Sequence, residues 1–128
     1  MKKIVYFIFC LIAVSTNALA SSGLTVEWAP FEVKQGVSDK VLLRAAQSVE
    51  TEFLVHQKGY IKREILKGSD GKWADIVYWQ SQIDADKATQ AAYKSDICYT
   101  YFALMKEAEH SEISNVQHFT VMKFWQGR

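Results

Sequence analysis

His118 stands in an apolar run near the C terminus, with Val116 and Thr120 on the same parity. An imidazole titrates near neutral pH and can take a proton from a phenol or quinol, the step that lets such a molecule react with oxygen. Trp79 closes a second apolar run, just before a polar helix start at Ser81 and Gln82. Its indole has a flat, electron-rich face that can stack on an aromatic substrate, and an N–H that can donate to a carbonyl oxygen. Arg63 and Asp75 lie on either side of the turn Gly68-Ser69-Asp70-Gly71. A hairpin centred near Ser69 sets Arg63 opposite Asp75, Ile65 opposite Trp73 and Ile61 opposite Val77. Such a charged pair either fixes register at a dimer interface or, on a cavity wall, lets Arg63 hold an enolate or phenolate oxygen. Tyr93, Tyr99, Tyr101 and Phe102 form an aromatic set on a broken helix that can act as a lid. Each of these side chains also has a structural use: Trp79 as core filler, Arg63–Asp75 as a structural pair, His118 as a satisfied core histidine, the aromatics as sheet cover. His56, at the end of the first helix, answers that helix's C-terminal carbonyls.

Other chemistries lack their residues. There is no Cys-x-x-Cys, no pair of histidines with a carboxylate at metal spacing, no Gly-rich phosphate loop and no nucleophile elbow. Metal, nucleotide and hydrolase chemistry are unsupported, and no cofactor is expected.

The N-terminal residues read as an address. Lys2 and Lys3 precede an apolar run over 4–14, and Ala18-Leu19-Ala20 is a small-x-small cleavage site, so 1–20 is expected to be a signal peptide. The run is about half of what a bilayer span needs, so no membrane association is expected after cleavage. Phe7-Ile8-Phe9 before Cys10 is not a lipidation site. The expectation is a periplasmic or secreted protein with one domain, 21–128. Its charge, 13 basic against 14 acidic side chains, gives nucleic acid no basic face. Cys98 is then the single thiol, expected to be buried.

The elements that must position these residues follow from local pattern. Residues 24–34 read as a strand, with a bulge or unpaired position at Pro30, where the apolar phase changes. Ser38 caps a helix whose Leu42, Ala45, Ala46, Val49 and Phe53 recur at helical spacing, with Gly59 as its C′ glycine. Strands at 60–67 and 73–80 flank the turn. A second helical region from Ser81 carries Ala85, Ala88, Ala91 and Ala92 and breaks at Ser95-Asp96, ahead of Ile97, Cys98, Tyr101, Phe102 and Met105. A charged loop over 107–112 leads to a last strand over 114–125. The order βαββαβ is ferredoxin-like: an α+β sandwich, a four-stranded antiparallel sheet with helices on one face. Because the strand 73–80 is apolar on both sides, both faces need cover. One helical layer covers one face, so the other calls for a second copy of the sheet, a dimer.

Order and wording together resemble the dimeric α+β barrel superfamily, in its antibiotic-biosynthesis-monooxygenase-like (ABM) branch. The matching phrases are 31–36 leading into Ser38, Gly59-Tyr60 with Arg63-Glu64, Asp75-Ile76-Val77-Tyr78-Trp79-Gln80-Ser81 with Ala85, and His118-Phe119. The resemblance implies a homodimer of face-to-face sheets with a ligand cavity between sheet and helices in each subunit. Members include cofactor-independent oxygenases of aromatic polyketides or quinols and haem-degrading enzymes. The haem-degrading pattern is not met: the first strand has no Asn and 82–105 has no His. The reading is therefore an exported homodimer that binds a flat, mostly apolar small molecule and acts as a cofactor-independent monooxygenase. In it His118 and Trp79 are catalytic, and Arg63, Tyr93, Tyr101 and Phe102 bind substrate. The alternative is a non-enzymatic ligand-binding or structural dimer module.

Overall fold

A computed structural model describes residues 23–107 and 116–128. The chain runs β1 (Thr25–Phe31), α1 (Asp39–Glu52), a 3-10 turn (Leu54–His56), β2 (Tyr60–Lys67), β3 (Trp73–Trp79), α2 (Gln82–Ala92), α3 (Asp96–Phe102) and β4 (Gln117–Thr120). The strands form one antiparallel sheet in the order β2-β3-β1-β4. This is the expected ferredoxin-like α+β arrangement. The signal peptide 1–20 and nearly all of the charged loop 107–112 lie outside the described residues.

Three serines start the three helices. Each side chain accepts a backbone N–H of the first turn: Ser38 from Val41, Ser81 from Asp84 and Ser95 from Cys98. An acidic residue sits in each first turn, at Asp39, Asp84 and Asp96, where the helix dipole favours it. Ser95 is extended (φ −100°, ψ 121°), which separates α3 from α2 where the sequence places the break. Helix α1 buries Leu42, Ala46 and Val49, one stripe at spacings of four and three. Helix α2 buries Ala85 and Ala88, whose small side chains permit close approach to the sheet.

Four local details refine the expectation or differ from it. First, Gly59 is not the C′ residue of α1. The helix ends at Phe53 (φ −127°), because Phe53 and Leu54 both turn into the core and a 3-10 turn follows. Gly59 instead bends the chain into β2 at φ +78°. Its carbonyl accepts the Gln80 N–H at 2.8 Å, and a Cβ there would lie 2.3 Å from Asp84 Oδ2. Second, the hairpin is centred on Asp70. Gly71 takes φ +79° and Gly68 N–H closes on Lys72 O at 2.7 Å, so the β2 residues from Lys62 to Lys67 meet β3 partners two places later than expected. Arg63 is opposite Val77, Ile65 opposite Asp75, and Lys67 opposite Trp73. Third, of the two alternatives at Pro30 the structure has the unpaired position and not the bulge. The register with β3 is unbroken through Pro30↔Ala74, and β4 stops pairing at Trp28, so no β4 partner needs the missing N–H. The one irregularity is in β2, between Tyr60 and Lys62. Fourth, the first and last strands are shorter than expected: β1 ends at Phe31, with an isolated bridge from Val33 to Met105, and β4 has four residues.

Odd positions of β1 and β3 face the helices. Trp73, Val77 and Trp79 join Leu42, Ala46, Val49, Phe53, Leu54, Ala85, Ala88, Cys98 and Tyr101 in one buried cluster. Burying a side chain such as Leu42, fully inaccessible here, contributes roughly 1.5–3 kcal/mol. Even positions form the other face in cross-strand rows: Leu66, Ala74, Pro30; Glu64, Ile76, Trp28, Gln117; Lys62, Tyr78, Val26, Phe119. No described helix packs there, and Leu66 and Phe119 are about half exposed, at 46% and 53%.

Candidate functional site

Between the helix-facing side of the sheet and the helices lies a cavity of about 960 Å³. That volume is in the range of small-molecule sites. Its apolar wall includes Ala29, Val49, Phe53, Val77, Ala88 and Met105. All six residues singled out from the sequence, Arg63, Trp79, Tyr93, Tyr101, Phe102 and His118, line this one cavity.

The sheet builds its polar wall as a row. Register places Arg63, Val77, Glu27 and His118 side by side across β2, β3, β1 and β4. His118 Nε2 is 3.0 Å from Glu27 Oε2, and both side chains are largely buried. When Glu27 is ionised, His118 Nε2–H donates to it, and Nδ1 keeps the lone pair that a base needs. Burial pushes the Glu27 carboxyl above the ordinary glutamate range; the hydrogen bond and charge of His118 pull it partly back, and Asp75 pushes it up again. Glu27 was not singled out from the sequence. The available signal was its parity: it shares a face with Ala29 and Phe31, both of which border the cavity.

Arg63 does reach Asp75, but diagonally rather than from the opposite position. Its Nε donates to Oδ1 at 2.8 Å and Nη2 to Oδ2 at 2.5 Å, while Nη1 donates to the Ala46 carbonyl of α1 at 2.8 Å. The bulge in β2 puts Tyr60 and Arg63 on the same, helix-facing side. The pair is therefore internal, not at the open sheet face where a dimer interface would place it. Tyr101 O–H also donates to Asp75 Oδ2, at 3.1 Å, and the guanidinium carbon sits 5.1 Å from the Tyr101 ring centre. Burial opposes the Arg63 charge, but Asp75 outweighs it and holds the guanidinium protonated. Burial and then the Asp75 charge push the Tyr101 phenol up, so it stays a neutral donor. All three Arg63 nitrogens and the Tyr101 hydroxyl are thus engaged by protein oxygens. These residues form a rigid wall rather than a free oxyanion clamp.

Trp79 is 1% exposed and meets Tyr60 edge-on, with ring centres 5.8 Å apart. Its Nε1–H is the one buried side-chain polar group among the described residues without a hydrogen-bond partner. Such a group costs about 1–3 kcal/mol unless something answers it. Tyr93 and Phe102 border the cavity from its outer end, 74% and 43% exposed, while Tyr99 faces solvent and takes no part in the wall. Cys98 is buried as expected and borders the cavity; burial pushes its thiol up, away from the reactive thiolate. No group of three His, Cys, Asp or Glu among the described residues could hold a metal ion.

No protein-family model matches the chain, and no curated protein matches its sequence. Solved structures do match. SnoaB, a cofactor-independent oxygenase from Streptomyces nogalater, superposes with a TM-score of 0.62 at 14% identity, over 80% of this chain and 96% of its own. The ActVA-Orf6 monooxygenase of Streptomyces coelicolor, solved in complex with nanaomycin D, gives 0.62 at 13% identity over 84% and 95%. A Bordetella bronchiseptica protein assigned as an antibiotic biosynthesis monooxygenase gives 0.61 at 13% over 79% and 99%. At such identity the likeness is one of fold: the chain has the ferredoxin-like ABM fold that the sequence phrases resemble.

Proposed function

We propose that the protein is an exported homodimer that oxidises a flat, mostly apolar phenol or quinol with molecular oxygen and no cofactor. The observation that carries this reading is the His118–Glu27 pair on the wall of a cavity whose lining also includes Trp79. His118 Nδ1 takes the proton of a substrate hydroxyl, and Glu27 stabilises the imidazolium that results. Trp79, buried behind the wall, fixes the shape of the slot that takes the ring. The anion passes one electron to oxygen, and the substrate radical and superoxide combine into a carbon-bound peroxide. The peroxide takes the His118 proton and, with loss of the hydrogen on the same ring carbon, eliminates water, which turns a ring C–H into C=O: one oxygen atom enters the product and one leaves as water. The second sheet face supports dimerisation, because a copy of itself would cover Trp28, Ile76, Tyr78 and Phe119.

The test uses 1,8-dihydroxy-9-anthrone as substrate, with oxygen uptake and anthraquinone absorbance as readouts. The expected result is quinone formation well above the buffer rate, falling about 100-fold or more in His118→Ala, the usual scale for a lost general base. Turnover by the folded variant at the wild-type rate would remove His118 from the mechanism. No turnover of any anthrone or naphthoquinol, with ligand still bound, would leave the binding module as the reading.

A further inference from the structure

From the charges around this cavity we infer that it selects neutral aromatic ligands carrying a hydroxyl donor and rejects those carrying a carboxylate. The inference deepens the functional reading above, on which it rests for the kind of ligand.

Four described residues bordering the cavity are cations or can become one, and each already has a counter-charge or lies in water. Arg63 is held by both Asp75 oxygens and by the Ala46 carbonyl. When His118 is protonated, its charge is already answered by Glu27 at 3.0 Å. Lys72 and Lys106 are more than half exposed at the outer end, near Asp70 and Glu32, and their charges stay in water. What faces inward is an acceptor, the Glu27 carboxylate with its imidazole and Thr89 beside it, in a wall that includes the apolar Val49, Phe53, Val77 and Trp79. A hydroxyl supplies the donor this acceptor needs. A carboxylate would lose its water, meet no cation and sit beside a second negative group. Trp79 Nε1–H is buried and turned to no accessible space, so it offers an anion nothing either.

The experiment is isothermal titration at pH 7 with three ligands of one ring system: 2-naphthol, 6-hydroxy-2-naphthoic acid and 2-methoxynaphthalene. None needs to be turned over, so a failure of catalysis does not disturb the result. The naphthol should bind tightest. The naphthoate should bind about 100-fold more weakly, the scale of two like charges roughly 6 Å apart at an effective dielectric constant of 20. The methoxy compound, lacking the donor, should bind about tenfold more weakly. Glu27→Gln, which keeps the side-chain volume, should shrink the naphthol-to-naphthoate ratio by at least about tenfold. A naphthoate that binds the wild type as tightly as the naphthol overturns the inference, as does a folded Glu27→Gln protein with an unchanged ratio. Failure of all three to bind removes the aromatic-ligand reading and this inference with it.

Discussion

Asp75→Asn isolates one strong claim, that the Arg63–Asp75 pair is an internal strut rather than a contact between subunits. The Arg63 side chain is 5% exposed and that of Asp75 12%, so neither charge is much screened by water. The amide keeps the volume and one oxygen for Tyr101, but it leaves a guanidinium buried without its counter-charge. Removing one partner of a buried pair costs about 3–5 kcal/mol, a third or more of the stability of an ordinary domain. Urea unfolding followed by tryptophan fluorescence should show the midpoint falling by roughly 2 M, given a slope of about 2 kcal/mol/M, the middle of the range for small proteins. The loss should be equal at every protein concentration, since the pair faces α1 and α3 and not a partner. In the double variant Arg63→Met with Asp75→Leu, the charge problem vanishes while Ala46 O and Tyr101 O–H lose their partners. It should therefore be at least about 2 kcal/mol more stable than the sum of the single losses requires. A loss below about 1 kcal/mol for Asp75→Asn, or strict additivity in the double variant, would refute the reasoning.

Two glycines with left-handed backbone provide a matched comparison. Gly71→Ala, with open space around its Cβ position, should cost about 1–2 kcal/mol. Gly59→Ala adds a clash with Asp84 and should cost about 2–4 kcal/mol in total; equal thermal shifts for the two would deny the close approach. The raised Glu27 carboxyl predicts a pH trend. Its contribution to stability is fully present below the ordinary glutamate value of about 4.3 and is lost as pH rises through the folded value. Glu27→Gln cannot titrate, so its melting temperature should fall less than that of the wild type over that window, and parallel curves would show that burial is not what strains Glu27. Phe119→Asp, on the open sheet face, should convert the proposed dimer to monomer in light-scattering chromatography while leaving the fold's circular dichroism intact. A dimer retained by Phe119→Asp would place the interface elsewhere.

How much of this was legible in the residues depended on distance along the chain. The helix starts at Ser38, Ser81 and Ser95 are decided within four residues, and a serine followed by an acid in the first turn announces each one. The cavity wall was legible for the same reason: Trp79, Tyr101 and His118 interrupt local patterns whose parity points inward. The orientation of Arg63 was not legible. It depends on a bulge between Tyr60 and Lys62, which has no Gly or Pro to mark it, and on the left-handed Gly71 that shifts the hairpin by two partners. Glu27 was missed because a charge between Val26 and Trp28 reads as solvent-facing until β4 sets an imidazole beside it.

That last pairing has a consequence for the order in which the protein comes into being. Glu27 and His118 are 91 residues apart, and β4 is joined to the sheet through four pairs with β1 alone. A ribosome delivers Glu27, the hairpin and all three helices before His118 is made. Contacts of such long range close late, after the more local ones have formed. The dyad thus depends on the last strand made, and the site becomes competent only when that strand docks. A chain truncated before β4 would have most of its buried cluster in place and no dyad.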